Sequence, residues 1–281
     1  MAEESEKERV LREILVAVDT SPHSHAALEA AVTLAHILEA NVKGLFVENE
    51  LWGRLSDLPV TTSISELTGE EGPLERDTVE EKMTRLRNRI RDRMHDLGQH
   101  YQVTYSMETA SGKVDEKVLE ASRRSDLITL GLKGNYAKRG RLGSTARAII
   151  RQSDKPVLIL EKGMYVGTVL TVVYDGSPSG RKGLAIALQI AKNDNSRLSV
   201  LVTGEGDKLT EERRVEVRDV LDRHRVFADV QAMPHADLGS FMDVVYRQRC
   251  GLLVLPKGME VVSKYLDSLL RNVKCPLLLV S

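Results

Sequence analysis

The feature that most constrains this sequence is an internal repeat. Each copy opens with an apolar run that ends in aspartate, a short turn and proline, and each closes with a proline followed by a second apolar run. The opening aspartates are Asp19 and Asp175, and the closing prolines are Pro156 and Pro276. A repeat on this scale indicates two copies of one structural unit within the 281 residues.

Within each copy, short apolar runs alternate with segments of helical periodicity. The apolar runs lie at residues 14–18, 42–47, 102–109, 127–130 and 156–160, and again at 169–173, 198–202, 226–232, 252–255 and 276–280. Strand–helix alternation predicts βαβ units with right-handed crossovers around a parallel sheet. We therefore predict an α/β fold with two Rossmann-like or flavodoxin-like domains, residues 1–162 and 167–281, each a five-stranded parallel sheet with flanking helices.

Composition narrows the class of protein further. The hydrophobic content of 42% and charged content of 29% are typical of a globular chain. With 40 basic and 41 acidic side chains, the net charge of −1 argues against a nucleic-acid or anionic-membrane surface. No apolar run approaches the roughly 20 residues that span a bilayer, and the acidic N-terminus is unlike a signal peptide. Cys250 and Cys275 lack metal-ligand spacing and are interpreted as buried reduced thiols, so we expect a cytoplasmic protein.

The two copies differ in length, and the difference indicates where a ligand would bind. From aspartate to closing proline the first copy spans 137 positions and the second 101. Most of the difference corresponds to residues 48–76, an irregular excursion in which we expect a short helical turn near 63–67. The rest comes from a glycine-rich segment before the last helix. Both segments would lie over the carboxyl ends of the strands, where open α/β sheets bind ligands.

The glycine-rich segment has the chemistry of an anion site. Gly131 and Gly134 follow a buried strand, and glycine lets backbone N–H groups approach an anion closely. Gly143, Ser144 and Thr145 open the last helix, whose free N–H groups and positive dipole end favour phosphate. The cations between these two groups are Lys133, Lys138, Arg139 and Arg141. A polyphosphate would suit this loop.

Structural explanations stay open beside the functional ones. The glycines could serve only a tight turn, Ser144 only a helix N-cap, and Asp19 only an Asx turn or cap. The segment is neither a P-loop nor a dinucleotide fingerprint. His23 and His25 are interpreted as solvated residues at a helix start, and residues 211–214 as a solvated helix face.

With these residues in view, the chain resembles a tandem universal stress protein over essentially its whole length. In that family an aspartate ends the first strand, and the pattern Gly-x2-Gly-x9-Gly-Ser/Thr follows the fourth strand and holds ATP phosphates. Here the pattern is Gly131-x2-Gly134-x8-Gly143-Ser144, one residue shorter, so the choice between ATP and AMP stays open. The resemblance implies strand order 3-2-1-4-5 and edge-to-edge pairing of the terminal strands of the two domains.

The resemblance also implies a set of binding residues for ATP, ADP or AMP, with or without Mg²⁺. Asp19 would contact the ribose or base edge, and the adenine pocket and phosphate loop would include Ala17, Val47, Leu130, Gly131, Lys133, Gly134, Gly143, Ser144 and Thr145. No catalytic residue and no protein metal site is predicted. A homodimer and an unidentified protein partner stay open.

The second copy is expected to bind no nucleotide in this way. It keeps Asp175 but has Pro256 in place of Gly131, and proline removes an N–H and fixes φ. Ser263 and Lys264 stand in place of Gly143 and Ser144 by count from the closing proline. We expect a scaffolding or regulatory second domain and a stress-response protein that binds nucleotide with at most weak ATP hydrolysis. The alternatives are a true ATP hydrolase or nucleotidyl transferase and a nucleotide-independent interaction module.

Overall fold

A computed structural model describes residues 11–19, 21–48, 62–64, 71–73, 76–132, 142–233 and 238–281. The first half contains β1 (Glu13–Val18), α1 (Pro22–Leu38), β2 (Asn41–Glu48), β3 (Thr62–Ile64), β4 (Glu71–Pro73), α2 (Arg76–Tyr101), β5 (Tyr105–Ser111), α3 (Val114–Ser122), β6 (Leu127–Gly131), α4 (Ser144–Gln152) and β7 (Val157–Leu160). The second half contains β8 (Val169–Tyr174), α5 (Pro178–Asp194), β9 (Arg197–Thr203), α6 (Asp207–His224), β10 (Ala228–Met233), α7 (Leu238–Arg247), β11 (Leu252–Pro256), α8 (Glu260–Asn272) and β12 (Leu277–Val280).

One sheet runs through both halves in the order β10-β9-β8-β11-β12-β7-β6-β1-β2-β5. Within this sheet the five strands of each half are parallel and follow the order 3-2-1-4-5, which confirms the predicted fold class; β3 and β4 form a separate antiparallel pair. The halves meet where β7 and β12 pair antiparallel, with Leu158 opposite Leu278, so the expected edge-to-edge pairing is also found. The boundaries 1–162 and 167–281 stay a prediction.

Burial on both faces of the sheet explains why its central strands have apolar runs instead of alternating patterns. Along β1, Ile14 and Val16 pack in the layer that contains α1, and Leu15 packs in the layer that contains α4. The layer under α1 continues under α5 of the second half. The two halves therefore share a core as well as a sheet.

Polar contacts also join the halves across this junction. The guanidinium of Arg147 on α4 donates to both carboxylate oxygens of Asp267 on α8, at 2.9 and 3.1 Å. The Lys257 ammonium, which follows β11, donates at 2.8 Å to the Ser153 carbonyl at the end of α4. Partial burial lowers the pKa of Lys257. An ion pair and a hydrogen bond therefore connect the end of the first half to α8 and the β11 end of the second half.

Two local predictions are wrong. Residues 62–64 pair antiparallel with 71–73 where a helical turn was expected, so Ser63 and Ile64 are in a strand. The strand predicted at 102–109 begins three residues later, because Gln102 is left-handed (φ 54°) and the Val103 N–H bonds the Gly98 carbonyl at 2.9 Å. These turn residues end α2 before the strand can start.

Candidate nucleotide site

The strand order creates a crevice at the carboxyl edge of the first half. The helix that follows β1 lies on one face of the sheet, and the helix that follows β6 lies on the other, although the two strands are neighbours. Chain connections therefore diverge between β1 and β6. This divergence is the topological switch point at which doubly wound sheets bind ligands.

Three predicted pocket residues share one face of the sheet next to this crevice. Ala17, Val47 and Leu130 lie near the carboxyl ends of β1, β2 and β6 and all pack in the layer that contains α4. Leu130 is buried, whereas Ala17 and Val47 are only partly buried. The structure thus brings together three apolar side chains from separate parts of the sequence, on the face where α4 begins.

Asp19 ends β1 and organises the start of α1. Its Oδ1 accepts the Ser21 N–H at 2.8 Å, and the Ser21 hydroxyl oxygen accepts the Ser24 N–H at 3.1 Å. The Ser24 hydroxyl oxygen in turn accepts the Asp19 N–H at 2.8 Å. These bonds form the Asx turn and N-cap of the structural explanation. Among the described residues, no hydrogen bond to the second carboxylate oxygen of Asp19 is found.

Gly131 has a packing role of its own. A Cβ at this position would lie 2.7 Å from the His23 carbonyl carbon and 2.9 Å from the His23 Cβ. Glycine is therefore required where β6 approaches the first turn of α1, whatever binds nearby. His23 is half-buried and its Nδ1 accepts the Lys162 N–H at 3.0 Å, so its interpretation as a solvated residue is wrong. His25 is exposed, as expected.

The N-terminus of α4 is the part of the site best suited to an anion. Gly143 occupies the N-cap position and offers no side-chain acceptor, and the first turn of α4 contains no acid. The Gly143 N–H bonds the Leu132 carbonyl at 3.1 Å, which ties together the two ends of the glycine-rich segment. Ser144 is exposed and Thr145 half-buried. The first-turn N–H groups of a helix lack intrahelical partners, so a phosphate fits here.

Lys133 and Gly134, together with the basic stretch at 138–141, lie outside the described residues. Their predicted roles toward phosphate stay predictions. Among the residues that the structure does describe, no group of three or more His, Cys, Asp or Glu side chains could hold a metal ion.

The second half repeats two of the three bonds of the strand-end turn; the bond from the Asp19 N–H to the Ser24 hydroxyl has no counterpart, because Gly180 stands in place of Ser24. Asp175 Oδ1 accepts the Ser177 N–H at 3.0 Å and its hydroxyl at 2.6 Å, and the Ser177 hydroxyl oxygen accepts the Gly180 N–H at 3.0 Å. The shared aspartate is thus a folding element in both halves. Its presence alone does not distinguish a binding half from a non-binding half.

The second half differs from the first in having an arginine, Arg213, against the carboxyl ends of its strands. The Arg213 guanidinium donates at 2.6 Å to the carbonyl of Thr203, the residue that corresponds to Val47 in the strand register. A Cβ on Gly176, which is left-handed (φ 71°), would lie 2.7 Å from Arg213 Nε. The interpretation of residues 211–214 as a wholly solvated face is therefore wrong for Arg213. In the sequence, Gly176 after Asp175 is the residue that indicates this contact, because any side chain there would collide with Arg213.

The last helix also begins differently in the second half. Helix α8 spans 13 residues against nine in α4, and the added residues are at its N-terminus, where Met259 is the N-cap. A kink at Tyr265 (φ −123°, ψ 20°) separates this first turn from the rest of α8. Ser263 and Lys264, which correspond to Gly143 and Ser144 by count, therefore follow the start of α8 and precede its kink. The residue at the first helical position is Glu260, an acid that pairs with Lys264. A carboxylate occupies the end of the dipole that would otherwise favour phosphate.

These features define a doubly wound α/β protein with two unequal halves, and comparisons with known proteins agree with this class. The model of the universal stress protein family matches residues 11–161. Because this match covers more than half of the chain, the protein belongs to the universal stress protein family. No curated protein matches the chain.

Solved structures extend the likeness over both halves. A universal stress protein from Archaeoglobus fulgidus is 17% identical with a TM-score of 0.72, covering 95% of this chain and 97% of that one. A putative universal stress protein from Pseudomonas aeruginosa is 13% identical with a TM-score of 0.57, covering 97% and 94%. The cytoplasmic domain of a prokaryotic cation chloride cotransporter is 13% identical with a TM-score of 0.56, covering 96% and 95%. At these identities the likeness shows the fold alone.

A search of the described helices for a membrane span found none that is both long and apolar enough.

Proposed function

We propose that this chain is a stress-response or regulatory protein whose first half binds an adenine nucleotide, ATP, ADP or AMP, and whose second half does not. The nucleotide is bound with little or no turnover and acts as a signal for the state of the chain. Membership of the universal stress protein family supports the stress-response role. The second half acts as a scaffold or regulator.

The observation that carries this proposal is the uncapped start of α4 beside an apolar sheet face. Helix N-termini attract anions through their free N–H groups and the positive end of the dipole. Ser144 and Thr145 add two hydroxyl donors at the same point. A phosphate chain here and an adenine against Ala17 and Val47 would occupy opposite ends of one crevice.

The remaining roles follow from the family resemblance. Asp19 would accept a ribose hydroxyl with its second carboxylate oxygen, while the first accepts the Ser21 N–H. Lys133 and Gly134 would complete the phosphate loop with Gly131 and Gly143. Any Mg²⁺ would be held chiefly by the phosphates, which is its usual arrangement at such sites.

The first test is stabilisation of the whole chain by nucleotides. Ligand at 100 times its dissociation constant stabilises a fold by about 2.7 kcal/mol. We expect thermal unfolding to shift upward with at least one of ATP, ADP and AMP, and the order of the three shifts to give the preferred number of phosphates. Guanosine and cytidine nucleotides serve as controls for adenine selectivity.

A sharper test places a glutamate at the start of α4, where the second half has one at the start of α8. Ser144→Glu reproduces the residue found at the first position of α8, Glu260. An acid in the first turn is compatible with the helix dipole, so the variant should fold normally. The same carboxylate would repel phosphate and should abolish the nucleotide shift. Ser144→Ala, which removes only a hydroxyl, should weaken the shift far less.

One alternative function has specific support. The structural roles of Gly131 and Asp19 are those expected of a nucleotide-independent interaction module. Under that alternative no adenine nucleotide would stabilise the chain, and Ser144→Glu would leave its behaviour unchanged. An ATP hydrolase would instead reveal itself by steady phosphate release that Ser144→Glu abolishes.

A further inference from the structure

Two cysteines of the second half lie side by side at the start of neighbouring strands. Cys250 is separated from β11 by one residue, and Cys275 from β12 by one residue. The two strands pair in parallel, with Leu253 opposite Leu277. The register therefore holds both cysteines at the same edge of the sheet, opposite to the edge discussed above.

The two thiols lie near each other, and their environments differ. Both side chains pack in the apolar layer that contains α8, and the hydrogen bond between them shifts both pKa values. Cys275 is 6% exposed, whereas Cys250 is partly accessible. The hydrogen bond from Cys275 lowers the pKa of Cys250, while the same bond and burial raise the pKa of Cys275. Cys250 is the less buried of the two and its pKa is lowered, so it is the thiol better suited to act as a nucleophile.

The geometry is compatible with a covalent bond between them. Continued to these residues, the register sets Gly251 opposite Cys275, so Cys250 is offset from Cys275 by one residue. With strands about 4.8 Å apart and a rise of about 3.3 Å per residue, the Cα separation comes to about 6 Å, within the range of about 4.4–6.8 Å that disulfides need. The backbone around Cys250 is held in place, because the Gly251 N–H bonds the Val169 carbonyl at 2.7 Å and the Gly251 carbonyl accepts the Gly167 N–H at 3.1 Å.

We propose that Cys250 and Cys275 form a reversible intramolecular disulfide when the chain meets a peroxide-class oxidant. The Cys250 thiolate attacks one peroxide oxygen, the O–O bond breaks, and after protonation the products are a sulfenic acid and water. The Cys275 sulfur then attacks the sulfenyl sulfur, its proton goes to the departing hydroxyl as a second water, and the S–S bond forms. Two thiols are oxidised and one peroxide is reduced; a dithiol reductant reverses the change by exchange.

The bond would connect this redox pair to the junction between the halves. The segment between the two cysteines contains α8, which carries Asp267, the partner of Arg147 in the first half. Closing this loop restricts the unfolded chain more than the folded one, so oxidation should raise the unfolding temperature. The inference is independent of nucleotide binding at the other edge.

The test treats the full chain with hydrogen peroxide and follows its free thiols and its mass. The wild-type chain should lose both thiols and two hydrogens without forming a dimer, and proteolytic mapping should recover the linked Cys250 and Cys275 peptides. A dithiol reductant should restore both thiols. Thiols that persist, or linkage between chains, would overturn the proposal.

Two single variants separate the roles of the sulfurs. In Cys275→Ser, Cys250 should stop at the sulfenic acid and be captured by a 1,3-dione probe. In Cys250→Ser, the buried Cys275 should react at least tenfold more slowly than Cys250 does in the first variant. Equal rates in the two variants would contradict the assignment of Cys250 as the nucleophile. Circular dichroism checks that each variant is folded. If one variant does not fold, the peptide map of the oxidised wild-type chain still shows whether Cys250 and Cys275 are linked.

Discussion

At the carboxyl edge of the sheet, the two halves share the turn after their first strand but differ in the residues that surround it. Asp19 and Asp175 make the same turn, with the same serine cap on the following helix. Beyond it, the first half has a short α4 with no acid in its first turn. The second half has Arg213 against the strand ends and a longer, kinked α8 that begins with Glu260. The comparison teaches that the fold depends on what the halves share and ligand binding on what they do not.

The largest effect is expected where β6 packs closely against α1. Gly131→Ala would place a Cβ 2.7 Å from the backbone of His23, and overpacking of this kind costs about 2 kcal/mol. Chemical denaturation should show this loss in the free energy of unfolding even without nucleotide.

The matched control is Gly258→Ala in the corresponding loop of the second half. A Cβ there meets nothing within 4 Å, so the change should stay within about 0.5 kcal/mol. If Gly131→Ala lowered the free energy of unfolding no more than Gly258→Ala does, β6 and α1 would not be in close contact. Because Gly131 has this packing role, its substitution is a poor test of nucleotide binding, and Ser144 is the better one.

A smaller effect is expected at each of the two helix caps. Ser21→Ala and Ser177→Ala each remove the hydroxyl that accepts an N–H from the first turn of the next helix, and Ser177→Ala also removes the bond to Asp175 Oδ1. Loss of such a cap costs about 1 kcal/mol, so each variant should lose at least this much. A cost in one half alone, measured by urea unfolding, would show that the shared turn does not act equally in both.

The smallest effect is expected at the ion pair that joins the halves. Arg147 and Asp267 have side chains 37% and 46% exposed, so solvent screens their attraction. A double-mutant cycle of Arg147→Ala and Asp267→Ala should give a coupling energy of about 0.5 kcal/mol that decreases with added salt. A coupling energy of zero at low salt would show that this ion pair does not stabilise the junction between the halves.

The features predicted from sequence are those that depend on local pattern. Apolar runs between helical segments gave the strands, and the repeat gave the equivalence of the halves. Both predictions hold because a parallel sheet buried on two faces needs continuous apolar strands. The prediction that Ala17, Val47 and Leu130 neighbour one another rested on resemblance, since only the strand order brings them to one face.

What the sequence could not give depends on contacts between distant segments. Arg213 was assigned to a solvated face because its neighbours along α6 are charged, and nothing local shows that it reaches the Thr203 carbonyl. His23 was misjudged for the same reason, since its partner Lys162 is 139 residues away. The added turn at the start of α8 cannot be recognised by counting back from Pro276.

The most direct test of the central claim is the number of adenine nucleotides bound per chain. Equilibrium dialysis of the wild-type chain with the nucleotide that stabilises it most should give one per chain. Ser144→Glu should give none, and Glu260→Ser, the reverse exchange in the second half, should leave the value at one. Two nucleotides per wild-type chain, or one that Ser144→Glu leaves in place, would contradict a binding site confined to the first half.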